Sequence, residues 1–295
     1  MIAAVRSGNR PVADLTSGDF RLQDDGVAQI VDVATMESIP IDVDLLLDTS
    51  GSVSVELQNR LRLSLGQLVA TLRPDDRVRL IAVNHALRTI PTANGQQWPS
   101  VPFPNPSGGT SLYDGLTIAM LNVGVPDRRH LVMAFTDGQD TTSITSPRAL
   151  IGNSQFTESV VYAVVATSDS GPGATGWFGP SGGDVFSAAQ TLSRPATSSS
   201  TVRMVDPDAA LRIVTLNTGG QFLVAQRGES LSAVFAQIIK DFRTCYVLRY
   251  SPSGVKAGGW HSLTVKVLRP GRFDVRARRG YMHHRMAHLA LEPRG

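Results

Sequence analysis

Along the chain, apolar runs that stop at an acid or a polar turn alternate with amphipathic stretches of helical period. In IDVDLLLD, Ile41 to Asp48, the residues Leu45, Leu46 and Leu47 follow one another with nothing polar between them. That is the pattern of a strand buried on both faces, as in a parallel sheet covered by helices. RVRLIAV, RRHLVMAFT and SVVYAVVAT repeat it, and QFLVA is a shorter instance. Between the runs, Leu57, Leu61, Leu65, Leu68 and Leu72 fall at helical spacing in VELQNRLRLSLGQLVATL. GGTSLYDGLTIAML predicts a second helix, entered through glycines. DPDAALRIVTLNTGG predicts a third, with Asp206 or Asp208 as N-cap and Gly219 at its end, and Glu229 to Arg243 a last one. LRTIPT is a short run able to hairpin onto the strand before it, while Pro91 to Gly109 and Ser168 to Ser200 read as long loops rich in Pro, Gly and Ser.

Strands separated by helices over residues 41–243 imply an α/β fold, a doubly wound and mainly parallel sheet with helices on both faces. Residues 1–40 and 244–282 are strand-and-turn sequence without helical period. Both chain ends are therefore expected to meet in one small flanking β module, followed by a tail over residues 283–295.

The candidate chemistry collects where the strands stop. Ligands of open α/β sheets bind just outside the carboxyl ends of the strands. There the chain places DTSGS, residues 48–52, and Asp137, with Thr110 behind two glycines at a helix entrance. Asp48, Ser50 and Ser52 lie two apart, so a loop turning over the strand end can point all three inward, with Gly51 relaxing the turn. Hydroxyls and carboxylates without His or thiolate suit a hard divalent cation such as Mg²⁺.

With DTSGS at 48–52, Thr110 in GGTSLYDG and Asp137 in FTDGQD, in that order, the chain resembles the von Willebrand factor type A (VWA) family. That family's metal-ion-dependent adhesion site reads DxSxS, then a distant Thr, then an Asp usually followed by Gly. The resemblance covers roughly residues 40–243 and, through LTSGDFRLQDDG and VRARRGY, extends to bacterial proteins termed VWFA-related, common in acidobacteria. It implies that Ser50 and Ser52 bind the metal directly, Thr110 directly or through water, and Asp48 and Asp137 largely through water. It further implies Mg²⁺, with Mn²⁺ or Ca²⁺ able to replace it, and one coordination position left for an Asp or Glu of a partner protein. The expected role is adhesion rather than catalysis, in an extracytoplasmic setting. In related domains a shift of the last helix accompanies an affinity switch, and here that helix runs straight into the strand CYVLRY of the flanking module.

Other readings of the same residues compete. DTSGS could be a strand-to-helix turn capped by Ser50 or Ser52, with Asp137-Gly138 a plain turn. The fold could be kept as a scaffold with an idle site. An Asp-based hydrolase built on Asp-Thr-Ser-Gly would need two such loops facing each other across a β fold, whereas helices intervene here.

Composition narrows the remaining classes. Over 295 residues the apolar runs stay well short of the roughly 20 residues of a membrane span. The start, MIAAVRSGNRPVADL, lacks the apolar region of a signal peptide. Net charge is +3, with arginines concentrated in RPGRFDVRARRG. There Phe273, Val275 and Ala277 alternate with Asp274, Arg276 and Arg278, read as one solvated strand face rather than a nucleic-acid surface. Cys245 is the single cysteine and is expected as a buried thiol. His283, His284 and His288 in MHHRMAH could bind a soft metal, though a solvated tail is the expected reading. Trp98, Trp177 and Phe178 stand in the two long loops, as surface residues or as anchors for a partner.

Overall fold

A computed structural model describes residues 1–8, 10–90, 104–122, 125, 127–166, 207–226 and 229–283. In chain order its elements are β1 (Ile2–Ser7), β2 (Arg10–Pro11), β3 (Phe20–Asp24), β4 (Val27–Gln29), β5 (Asp32–Thr35), β6 (Ile41–Asp48), α1 (Val55–Ala70), β7 (Arg77–Val83), β8 (Leu87–Ile90) and α2 (Leu112–Met120). There follow β9 (Arg129–Thr136), α3 (Pro147–Asn153), β10 (Val160–Ala166), α4 (Pro207–Thr218), β11 (Phe222–Ala225), α5 (Leu231–Arg243), β12 (Tyr246–Arg249), β13 (Gly259–Val267), β14 (Asp274–Ala277) and β15 (Gly280–His283).

The central sheet runs β11-β10-β9-β6-β7-β8, parallel except for β8, which hairpins back antiparallel onto β7. Period-two geometry divides the unbroken leucine run between two cores. Leu45 and Leu47, with Met133, Phe135, Tyr162 and Val164, pack against Leu61, Leu65 and Leu68 of α1 and Phe235, Ile238 and Phe242 of α5. Leu46, with Val132, Ala134, Val161 and Ala163, packs against Leu112 and Leu116 of α2, Leu150 of α3, and Ala210, Leu211 and Val214 of α4. This is the expected doubly wound α/β arrangement. After β6 the chain first builds β7 and β8 to one side and then β9, β10 and β11 to the other, so the strand order reverses at β6.

The chain ends form two antiparallel sheets, β14-β1-β12-β5 with β2 added to β1, and β15-β13-β3-β4. The first sheet is shared between layers. Ile2, Ala4 and Val247 join the α/β core, while Ala3, Val5, Tyr246 and Leu248 face Phe20, Leu22 and Leu263 of the second sheet. Tyr246 meets Phe20 edge to face at 5.2 Å, donates its hydroxyl hydrogen to Val12 O (2.7 Å) and accepts from Leu15 N (3.1 Å).

Several elements differ from the sequence reading. Arg276 and Arg278 do not form a solvated face. Arg276 donates to the buried Tyr162 hydroxyl at 2.9 Å, and Arg278 donates to the carbonyls of Gly280, Thr157 and Gln155. The second face of β14 is covered by the α/β domain, where a hydroxyl and backbone carbonyls take donors of both guanidinium groups, although Arg276 Nη1 is buried without a partner. The helix α3, short and begun by Ser146 and Pro147, carries too few turns for its period to be read. α4 begins at Pro207, so Asp208 lies in its first turn rather than at its cap, and Asp206 lies outside the described residues. Gly219 does end α4, with φ 79°, and a Cβ there would lie 2.8 Å from Arg278 N. β15 extends through His283, which is strand rather than tail, while residues 284–295 lie outside the described ones. Cys245 is buried as expected, and burial pushes its thiol up to about 12.

Candidate metal centre

Asp48, the last residue of β6, sits at the point where the strand order reverses, and only 1% of it is exposed. Its carboxylate is held from two directions. Oδ1 accepts from Ser50 N at 2.9 Å, and Oδ2 accepts from Thr136 Oγ1 at 2.8 Å. Burial holds the Asp48 carboxyl above its ordinary range. The hydrogen bonds oppose this, and the neighbouring Asp137 charge adds to it. The partners that fix Asp48 are neutral, which leaves a buried acid with an unmet demand for positive charge.

Ser50 and Ser52 are brought together, their Oγ atoms 3.0 Å apart. Ser50 is buried and Ser52 exposed, so the pair spans from the strand end to the surface. Neither serine caps α1. That role falls to Ser54, whose hydroxyl accepts from Leu57 N at 3.1 Å, so the turn-and-cap reading of DTSGS does not hold. The loop is pinned to its neighbours through its backbone: Thr49 N donates to Val83 O (2.7 Å), Gly51 N to Gly108 O (2.9 Å), and Ser107 N to Thr49 O (3.0 Å). The left-handed residue is Gly108 (φ 72°) rather than Gly51, and a Cβ on Gly108 would lie 2.2 Å from His85 Nδ1. The glycine that the turn requires is thus on the second loop.

Thr110 is buried and precedes Ser111, the N-cap residue of α2. Its amide donates to Thr141 Oγ1 (2.8 Å), and its carbonyl accepts from the amides of Thr141 and Thr142. Asp137 follows β9, and its Oδ1 accepts from Gln139 N at 3.2 Å across a turn in which Gly138 has φ 91°. The five residues therefore come from three adjoining loops at one end of the sheet.

Residues that the sequence reading passed over hold those loops in place. Thr136 Oγ1 donates to Asp48 and accepts from Gly138 N at 3.1 Å, linking the ends of β6 and β9. Asp140 accepts from Tyr113 N (2.8 Å) and Ser143 Oγ (2.6 Å), and Asp114 accepts from the amides of Ile144 and Thr145, stitching the loop after Asp137 to α2. The signal was present in TDGQDTTS, a string of acceptors too dense for a simple turn. Trp98, Trp177 and Phe178 lie outside the described residues.

The donor set fits a small hard cation. Two ligands at about 2.0–2.1 Å on adjacent vertices of an octahedron lie roughly 2.8–3.0 Å apart. The Ser50 and Ser52 hydroxyls already stand at 3.0 Å, beside a carboxylate whose rotamer is fixed.

No protein-family model matches the chain, and no curated protein matches it. Solved structures do. The chain is similar to a von Willebrand factor type A protein from Catenulispora acidiphila, at 16% identity and TM-score 0.45, over 82% of this chain and 47% of that one. It is similar to proximal thread matrix protein 1 from the mussel byssus with a zinc-occupied MIDAS motif, at 13% identity and TM-score 0.49, over 75% and 50% of the two chains. It is similar to the manganese-loaded TRAP protein of Plasmodium vivax, at 15% identity and TM-score 0.42, over 83% and 94%. The chain thus spans about half the length of the first two.

Proposed function

We propose that this von Willebrand factor type A domain, backed by a β module made from both chain ends, is a metal-dependent protein-binding module. In this reading Asp48, Ser50, Ser52, Thr110 and Asp137 hold a divalent cation, Mg²⁺ by preference with Mn²⁺ or Ca²⁺ able to replace it. The partner is a protein offering an Asp or Glu side chain, and the setting is extracytoplasmic, as in the family the chain resembles. Among the described residues no helix is long and apolar enough to cross a membrane.

One observation carries the reading: the 3.0 Å hydroxyl pair of Ser50 and Ser52 beside the pinned, buried carboxylate of Asp48, at the sheet's switch point. Ser50 and Ser52 contribute neutral oxygens, so a bound cation keeps most of its charge and offers it to an anionic oxygen from outside. Thr136 and the Ser50 amide hold Asp48 as an acceptor. Thr141 and Thr142 fix the backbone of Thr110. The role in this reading is binding rather than catalysis, as in the family the chain resembles.

Isothermal titration with Mg²⁺ tests the site. Wild type should bind at millimolar metal or below, and Asp48→Ala and Ser50→Ala should each lose the signal; equal binding by all three would overturn the assignment. Pull-down from the source organism with and without EDTA tests the partner. A partner retained in EDTA at unchanged affinity binds elsewhere and leaves the site idle.

A further inference from the structure

A second side-chain cluster lies in the flanking β module, far along the chain from the residues above. Its centre is His261 on β13, fully buried. His261 Nδ1 lies 2.8 Å from Asp24 Oδ1. The other oxygen of Asp24, also fully buried, accepts from the hydroxyls of Tyr281 (2.8 Å) and Tyr250 (3.2 Å). Asp25 is 4.0 Å from the same Nδ1, and its carboxylate is taken by Lys256 at 3.1 Å and by the amide and hydroxyl of Ser262. The carboxylate side of the ring is therefore committed.

The other side is not. His261 Nε2 is buried and has no hydrogen-bond partner. A carboxylate can only accept, so the short contact to Asp24 places a ring proton on Nδ1, and a buried Nε2 with no acceptor for a second proton carries the lone pair. An imidazole whose Nδ1–H is held by a carboxylate while Nε2 is free is the arrangement of a metal-ligating histidine with its outer-shell partner. The ring is also fixed by Tyr281, stacked on it at 4.8 Å.

A second imidazole stands beside it. His283 on β15 pairs with Gly259 in the register that puts Tyr281 opposite His261, so His261 and His283 are diagonal neighbours on one face of the strand pair. Their ring centroids are 5.6 Å apart, the planes at 83°. Two imidazoles binding one ion through nitrogen at about 2.0–2.1 Å, with a tetrahedral angle between them, have centroids roughly 5–6 Å apart. His283 is exposed, so the second ligand of the pair stands at the surface.

We propose that His261 Nε2 and His283 form a site for a borderline divalent transition metal, Zn²⁺ by chemistry, with Asp24 orienting His261 and water completing the coordination. Nitrogen ligands separate this site from the oxygen set at Asp48 and give it a different ion preference. The proposal does not depend on the adhesive reading of the Asp48 site.

The test uses the full chain carrying Ser50→Ala, so that the first site does not compete. Equilibrium dialysis against Zn²⁺ with metal analysis should return one bound equivalent, and Co²⁺ substitution should give a visible ligand-field band. His261→Ala and His283→Ala should each remove that equivalent, and Asp24→Asn should weaken it by about 10- to 100-fold. Because His261 and Asp24 are buried and their variants could unfold, the exposed His283→Ala decides, with circular dichroism confirming its fold. Retention of zinc by His283→Ala overturns the proposal. So does the absence of bound zinc in the parent protein. Loss of zinc in His284→Ala/His288→Ala, with both His261 and His283 intact, would assign the ion to the terminal histidines and equally overturn it.

Discussion

The carboxylate of Asp76 joins three elements, and removing it should destabilise the α/β domain more than any exposed ion pair could. Its side chain is fully buried. Oδ1 accepts from Ile41 N at 3.0 Å, at the start of β6, and Oδ2 accepts from Arg73 N at 2.8 Å and from the Arg243 guanidinium at the end of α5. Arg243 is itself largely buried and also donates to Ile39 O at 2.6 Å. Asp76→Ala would leave a buried guanidinium unpaired and two amides without their acceptor. Breaking a buried pair from one side costs about 3–5 kcal/mol, because the surviving charge keeps its desolvation penalty. For a chain of this size that corresponds to a fall in Tm of roughly 6–20 °C. Urea unfolding followed by circular dichroism would measure it, with Asp76→Asn, which keeps one acceptor, expected to lose less. The double variant Asp76→Ala/Arg243→Ala should recover part of the loss, since no lone charge remains. A loss below about 1 kcal/mol in Asp76→Ala would place the pair with solvent-screened surface bridges and refute the reasoning.

Burial pushes Asp44 up, but the His130 imidazole 3.0 Å away and the Arg79 guanidinium hydrogen-bonded to it outweigh it, so its carboxyl titrates below the ordinary 3.8. A depressed carboxylate contributes stability above its unfolded value and loses it as pH falls through the folded one. The stability gap between wild type and Asp44→Asn should therefore shrink as pH is lowered through 3.8 and below; a gap independent of pH would contradict this. Cys245, with its thiol pushed up to about 12 by burial, should resist iodoacetamide in the native protein at about pH 8 and react in urea; native labelling would mean that the seam around it opens. α5 leads into β12 across Thr244 and Cys245 alone, and Asp241 of α5 pairs with Arg6 of β1 at 2.5 Å. Adding Mg²⁺ and an acidic peptide should therefore change hydrogen exchange over residues 229–250, whereas a change confined to the loops of Asp48, Thr110 and Asp137 would show the β module to be uncoupled.

What the sequence determined by itself was whatever follows from local pattern. A strand such as β6, apolar at every position from Leu45 to Leu47, can be stable only with both faces covered, so the α/β layering was legible before any contact was known. The helical spacing of the leucines in α1 and the hydroxyls that interrupt the apolar pattern after Asp48 were equally local. What the tertiary structure decided was which polar groups meet. Nothing in RFDVRARRG distinguishes a solvated arginine face from one laid against Tyr162 and the carbonyls of Gln155 and Thr157, because alternation records that two faces differ, not what covers them. The anchoring of Asp48 by Thr136 spans 88 residues, and the pairing of Asp24 with His261 spans 237. Such contacts follow from sheet order and register, and these are set by how apolar faces from distant segments bury one another, a property of the whole chain rather than of any stretch of it.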